Sequence, residues 1–411
     1  MRKITGLIVL SLSTFISSEA LALDLSRPLP NWVDTSRERA DGRPPLVYAR
    51  SAQPPADFRL PAEYEKVSAV VIGWAGYTGM LSAVAKAVTG PGRAQLWAVS
   101  APAAIAGVPP EQYRRINTPI NTVWMRDYGP YGISASQARV GIVDSIYRHY
   151  QYRRNDDALP ANLGKLLKID VFGMPVILDG GNIMTDSKGD LFMTRRTYLW
   201  NSALSEEQVN AVLKSYFNVK NIYAFDYAGY PGEPADGTGH IDMFMKLLND
   251  HTVLISIAET EPFKSNAEKA MVFFKGKTAP DGQPYRVITV KGWDSGGTWY
   301  TYTNSLIVNG VVLMPSYSGR GNEDAQAKAA YETGIDGVTV IPINSDDSIT
   351  SGGSIHCVTQ TIPALPSADK TAAFTPAPEF GAVSMTAEPD DYVRLSPVSS
   401  ALDQLKEQAG K

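Results

Sequence analysis

Between residues 58 and 363 of this 411-residue chain, short apolar runs alternate with stretches of helical period. Strand-like runs are "AVVIGW" (69–74), "AQLWAV" (94–99), "RVGIVD" (139–144), "MPVILD" (174–179), "DLFMT" (190–194) and "NIYAFD" (221–226). They continue with "HTVLISI" (251–257), "YRVITV" (285–290), "SLIVNGVVLMPS" (305–316) and "GVTVIPI" (337–343). The spacing predicts helices over "LSAVAKAV" (81–88), "SEEQVNAVLKSYF" (205–217), "KSNAEKAMVFFK" (264–275) and "EDAQAKAAYET" (323–333). The second of these opens with Ser205 as an N-cap and acids in its first turn. Alternation of this kind predicts an α/β chain.

Glycines cluster between these elements, at "RDYGP", "DGGN", "GTGH", "DSGGT" and "SGGS". Each cluster belongs to a similar stretch of strand, polar turn, strand and helix, and about five such stretches of roughly 60–70 residues read as a repeated architecture. The two ends differ. Residues 1–22 carry Arg2 and Lys3, an apolar run from Ile4 to Ile16 and the small residues "ALA", the layout of a secretory signal peptide cleaved after Ala22. Residues 23–57, rich in proline and charge, read as an irregular arm. Residues 364–411 read as an Ala/Pro/Ser-rich tail with one short helix near "SALDQLKEQ".

Charge adds exclusions. The formal net charge of -4 becomes -5 once the signal is removed, and no basic patch stands out, which argues against a nucleic-acid partner. After the signal no segment reaches the ~18 apolar residues of a membrane helix, so the mature chain is expected off the membrane. An exported chain meets oxidising surroundings, where cysteines usually pair. This chain has one cysteine, Cys357, in "GGSIHCVTQTIP" (352–363). It is either inert in the core or a reactive thiol. If that segment is extended, His356 points away from Cys357, and the partner must come from elsewhere.

Four segments hold the candidate chemistry: "NTVWMRDYGP" with Trp124, Arg126 and Asp127, "GTGHIDMFM" with His240 and Asp242, "YTNSLIVNG" with Asn304, and "GGSIHCVTQ" with Cys357. In an extended stretch His240 and Asp242 would face one side together. A nucleophilic cysteine needs thiolate character, which a histidine or a substrate cation can supply. Two carboxylates in one pocket demand a cation, and the planar fork of a guanidinium matches them. A thiol, a histidine and two acids therefore suit attack on a guanidinium carbon.

Taken together, "LPAEYEKVSAVVIGW", "WMRDYGP", "DGGNIMTD", "GHIDMF", "YTNSLIVNG" and "GGSIHCVTQTIP" closely resemble the agmatine deiminase and bacterial peptidylarginine deiminase family, across about residues 58–363 and in the same order. The resemblance implies a pentein fold, a fivefold pseudo-symmetric propeller of ββαβ units with the site at its axis. It implies that Cys357 forms a covalent amidino-thioether, and that His240 protonates departing ammonia and then activates water. Asp127 and Asp242 would hold the guanidinium nitrogens, with Trp124 and Asn304 as further contacts. No metal or cofactor is implied.

Two substrates compete within that family. Agmatine carries no carboxylate. The exported relatives are similar to enzymes acting on C-terminal arginine, whose carboxylate needs a cation, and "IYRHYQYRRNDD" offers Arg148, Arg153 and Arg154. The expected substrate is therefore a peptide with C-terminal arginine, converted to citrulline, with the small guanidine agmatine, giving N-carbamoylputrescine, as the alternative. Rival readings are a non-haem iron triad of His240, Asp242 and His356, a cysteine peptidase using His240, Asn304 and Cys357, and an exported binding protein with an inert thiol.

Overall fold

The computed structural model describes residues 28–42, 53–135 and 139–364. The signal sequence, most of the tail and its expected helix lie outside the described residues.

Four stretches of chain form the same unit: an antiparallel strand pair, a helix, and a third strand parallel to the second. The first comprises Tyr131–Ala135, Arg139–Ile146, helix Leu159–Leu167 and Asp170–Ile177. Ile183–Thr185, Asp190–Thr194, Glu206–Phe217 and Asn221–Phe225 form the next. Then come Met245–Asn249, Thr252–Ile257, Phe263–Phe274 and Arg286–Lys291. The last is Leu306–Val308, Val311–Ser316, Gly321–Gly334 and Thr339–Asn344.

A fifth unit joins the two ends of this region. Thr359–Pro363 pairs antiparallel with Val67–Gly73, which is followed by helix Thr78–Thr89 and the parallel strand Gln95–Val99. The fivefold α/β architecture is thus present, with its ring closed by hydrogen bonds between distant stretches of chain. Among the described residues, no helix is long and apolar enough to cross a membrane.

Local chemistry explains the elements. Ser205 closes a capping box: its Oγ accepts from the Gln208 amide at 3.2 Å, and its own amide donates to Gln208 Oε1 at 2.9 Å. The run 305–316, expected as one strand, is a hairpin. Asn309 and Gly310 both hold positive φ, 49° and 85°, as a tight two-residue turn requires. Helix Leu159–Leu167 went unpredicted because its apolar face is short and broken by Gly164. That glycine is required by packing, since a Cβ there would lie 2.0 Å from Val171 Cγ2.

Candidate active site

Each unit contributes the segment just before its first strand. Met125–Tyr128, Gly180–Asn182, Ile241–Met243, Thr303–Asn304 and the turn at 355–358 precede Tyr131, Ile183, Met245, Leu306 and Thr359 respectively. Five equivalent pre-strand segments meet in the middle and bring Asp127, Asp179, His240, Asp242, Asn304 and Cys357 together. All six are 0 % exposed.

His240 lies between two acids, with Nδ1 3.6 Å from Asp127 Oδ1 and Nε2 3.3 Å from Asp179 Oδ2. Burial works against its charged form, but Asp127, Asp179 and Asp242 outweigh it and raise its pKa. The Gly181 amide donates to Asp127 Oδ1 at 3.1 Å. Burial, with Asp179 and Asp242 nearby, pushes the Asp127 carboxyl up to about 6 despite the opposing pull of His240. Asp179 goes the other way: the Arg148 guanidinium, 2.7 Å away, and His240 overcome burial and hold it low.

Asn304 sets the thiol. Its Nδ2 lies 2.9 Å from Asp242 Oδ2 and 3.1 Å from Cys357 Sγ, and its Oδ1 accepts from the Ser354 amide at 2.8 Å. Burial and the charges of Asp242 and Asp127 raise the Cys357 pKa and favour the neutral thiol. Trp124 flanks the same spot: a Cβ on Gly353 would lie 2.6 Å from Cys357 Sγ and 3.1 Å from Trp124 Cζ3.

Several expectations change. Residues 355–358 form a turn rather than a strand, and His356 is a neighbour of the cluster. Its Nδ1 lies 2.6 Å from Asp242 Oδ2 and its Nε2 2.6 Å from Glu63 Oε2. With both ring nitrogens so engaged, it is not available to an iron triad. His240 and Asp242 converge through a 3₁₀ turn over Ile241–Met243, not through strand alternation. Of the three arginines, only Arg148 borders the cluster. Arg153 forks onto Glu38 at 2.8 and 2.7 Å, and Arg154 lies 3.6 Å from Asp41, so both are paired with acids of the arm.

Asp179 and Arg196 were missed. The first sits in the "DGGN" motif, where the glycines mark a turn and the acid's partners, Arg148 and His240, are distant in sequence. Arg196 lies over the rings of Trp200 and Tyr227, at 5.3 and 5.7 Å, and Trp200 packs edge-on against His240. Arg148 covers the same Trp200 ring at 4.8 Å. Arg196 is 8 % exposed and has no acid within ion-pair distance among the described residues. Burial and Arg148 lower its pKa.

The profile of the Porphyromonas-type peptidyl-arginine deiminases matches residues 59–363. The chain belongs to that family. Its members are hydrolases of amidine C–N bonds, and this protein is a guanidino-group deiminase. The agmatine deiminase of Medicago truncatula is 25% identical over 364 residues, covering 75% of this chain and 97% of the relative. Two solved structures share the fold. The agmatine deiminase of Enterococcus faecalis superposes with a TM-score of 0.65 at 20% identity, covering 75% of this chain and 96% of that one. That of C. jejuni gives 0.63 at 17%, covering 78% and 100%.

Proposed function

We propose that the protein hydrolyses the guanidinium of an arginine that carries a free carboxylate, such as the C-terminal arginine of a peptide, to a ureido group and ammonia. One observation carries the guanidine reading. At the buried centre the carboxylate atoms Asp127 Oδ2, Asp179 Oδ1 and Asp242 Oδ1 have no hydrogen-bond partner in the protein. Buried polar atoms are rarely left open, and a planar cation with five N–H donors fits such a set of acceptors.

The steps follow from the electrostatics. A bound guanidinium offsets the carboxylates that hold the Cys357 thiol neutral, so the thiol gives up its proton to solvent as the cation binds. Sγ then attacks the guanidinium carbon, and His240, kept protonated by its acids, donates to the departing nitrogen as ammonia leaves. The resulting amidino-thioether is opened by water that gives its proton to His240; the C–S bond breaks and the ureido product leaves.

The carboxylate preference rests on Arg196 and Arg148, two guanidinium groups on the Trp200 ring beside His240. Arg196 has Tyr227 and, farther off, Asp236 as favourable neighbours, but its buried Nε lacks a hydrogen-bond partner, which a substrate carboxylate would supply. Agmatine is the competing substrate and would leave Arg196 Nε without a partner. Export is supported by the pattern of residues 1–22, and N-terminal sequencing of the protein recovered outside the cytoplasm would check it. The deciding assay measures ureido product from agmatine, free arginine, and a peptide ending in arginine with and without C-terminal amidation. The free-acid peptide should be preferred, and amidation should cost roughly 10–150-fold in kcat/KM, the worth of one charge-assisted contact. Better turnover of agmatine, with no effect of amidation, would make the protein an agmatine deiminase.

A further inference from the structure

Residues 28–42 precede the family-matched region, yet they pack directly on the catalytic cluster. The Asn31 amide donates to Ser351 O at 2.7 Å, and Trp124 Nε1 donates to Leu29 O at 2.9 Å. Arg153, wholly buried, donates to Pro30 O at 2.8 Å and Trp32 O at 2.7 Å besides its fork onto Glu38. Arg148 reaches Asn31 O at 3.4 Å.

Two glycines make room for this strap. A Cβ on Gly76 would come within 2.5 Å of Pro28 Cγ, and one on Gly352 within 3.0 Å of Trp32 Cζ3 and 3.2 Å of Asn31 Cβ. The Asn31 side chain is 0 % exposed, and neither carboxamide atom closes a hydrogen bond of full geometry. It lies beside Asp127 and favours that acid's charged form. A planar group bearing N–H donors thus stands against an acid of the cluster, while the thiol, His240 and the acids have no exposure.

We propose that residues 28–38 form a pseudosubstrate strap: Asn31 occupies the approach to Asp127, Glu38 locks the strap to Arg153, and turnover requires its release. The strap carries its own acid to a buried arginine and its own amide to the catalytic acids. The amide stands where an arginine-type ligand would place its own N–H donors. The proposal rests on the deiminase reading only for its activity readout.

The test uses the mature full-length protein with a protease-recognition sequence replacing residues 44–50. Two quantities are compared in the intact enzyme and in the cut enzyme freed of its strap: the rate at which iodoacetamide alkylates Cys357, the only thiol, and the rate of ureido formation. A strap seated most of the time leaves about a tenth or less of the enzyme competent, so both rates should rise about 10-fold or more on release. A synthetic peptide of residues 28–42 should lower them again. Should the freed enzyme not fold, Glu38→Gln in the intact chain loosens the lock and should raise both rates several-fold. Alkylation no faster in the freed enzyme, or in the intact Glu38→Gln variant where the freed enzyme does not fold, overturns the strap. Faster alkylation with no turnover of any guanidine leaves the strap standing and removes the deiminase reading instead.

Discussion

Asp127 and Asp179 are both aspartates at 0 % exposure beside the same imidazole, and their neighbours drive them apart. Asp179 has Arg148 and stays ionised, whereas burial and two other acids outweigh His240 and Asn31 at Asp127 and push it up to about 6. Protonating Asp127 removes a negative partner of the incoming guanidinium. Accordingly kcat/KM should fall tenfold per unit as pH drops below about 6, while kcat, measured with the cation already holding the acid ionised, should keep its plateau to lower pH. A kcat/KM profile flat from pH 7 to 5 would show that Asp127 is not a ligand. Asp179→Asn strips Arg148 of its acid and His240 of a partner, and should cost ~10²-fold or more in kcat/KM. Cys357→Ala should abolish turnover, because no second thiol exists.

At the scale of elements, catalysis depends on short turns that end where strands begin. Gly181, in the turn Gly180–Asn182, faces the cluster, and a Cβ there would lie 2.7 Å from His240 Nδ1, 2.8 Å from Asp127 Oδ1 and 3.1 Å from Asp242 Oδ2. Gly181→Ala should therefore lower kcat/KM by ~10²-fold through misplacement of those groups, with an unchanged circular dichroism spectrum. Ser205→Ala removes a cap on the far side of that unit. It should cost ~1 kcal/mol in denaturant unfolding and leave kcat alone. The contrast separates turns that carry chemistry from caps that carry stability.

At the scale of the whole molecule, one buried ionic network ties the ring together behind the site. Glu63 lies 2.5 Å from Lys246 Nζ and 2.6 Å from His356 Nε2, and it accepts from the Ile307 amide at 2.8 Å; Lys246 in turn donates to Ser305 O at 2.6 Å. Three units and the entering segment meet there. Burial opposes the Glu63 charge, but Lys246, His356 and Arg126 hold its carboxyl well below the usual range. The linkage sign follows: this stabilisation is complete above the unfolded value of about 4.3 and fades as pH falls through the lowered native one. Glu63→Gln leaves Lys246 buried without its acid and should cost about 3–5 kcal/mol, read as a lower denaturation midpoint at pH 7. An unchanged midpoint would mean that the network carries no stability.

The sequence by itself determined the alternation of strands and helices, the repeat, and five of the six residues at the centre: Asp127, His240, Asp242, Asn304 and Cys357. Periodicity and capping act within a few residues, so runs such as 190–194 and the Ser205 cap are written locally. The motifs likewise kept each reactive residue next to its own glycine turn. Only the tertiary structure decided what those turns face. Arg153 and Arg154 looked like carboxylate ligands until the fold paired them with Glu38 and Asp41, more than a hundred residues upstream. Asp179, Arg196 and Asn31 gained meaning only when distant segments closed around His240. A charge in sequence has no partner until the chain folds, and the partner decides whether it binds substrate, holds the strap or supports the ring.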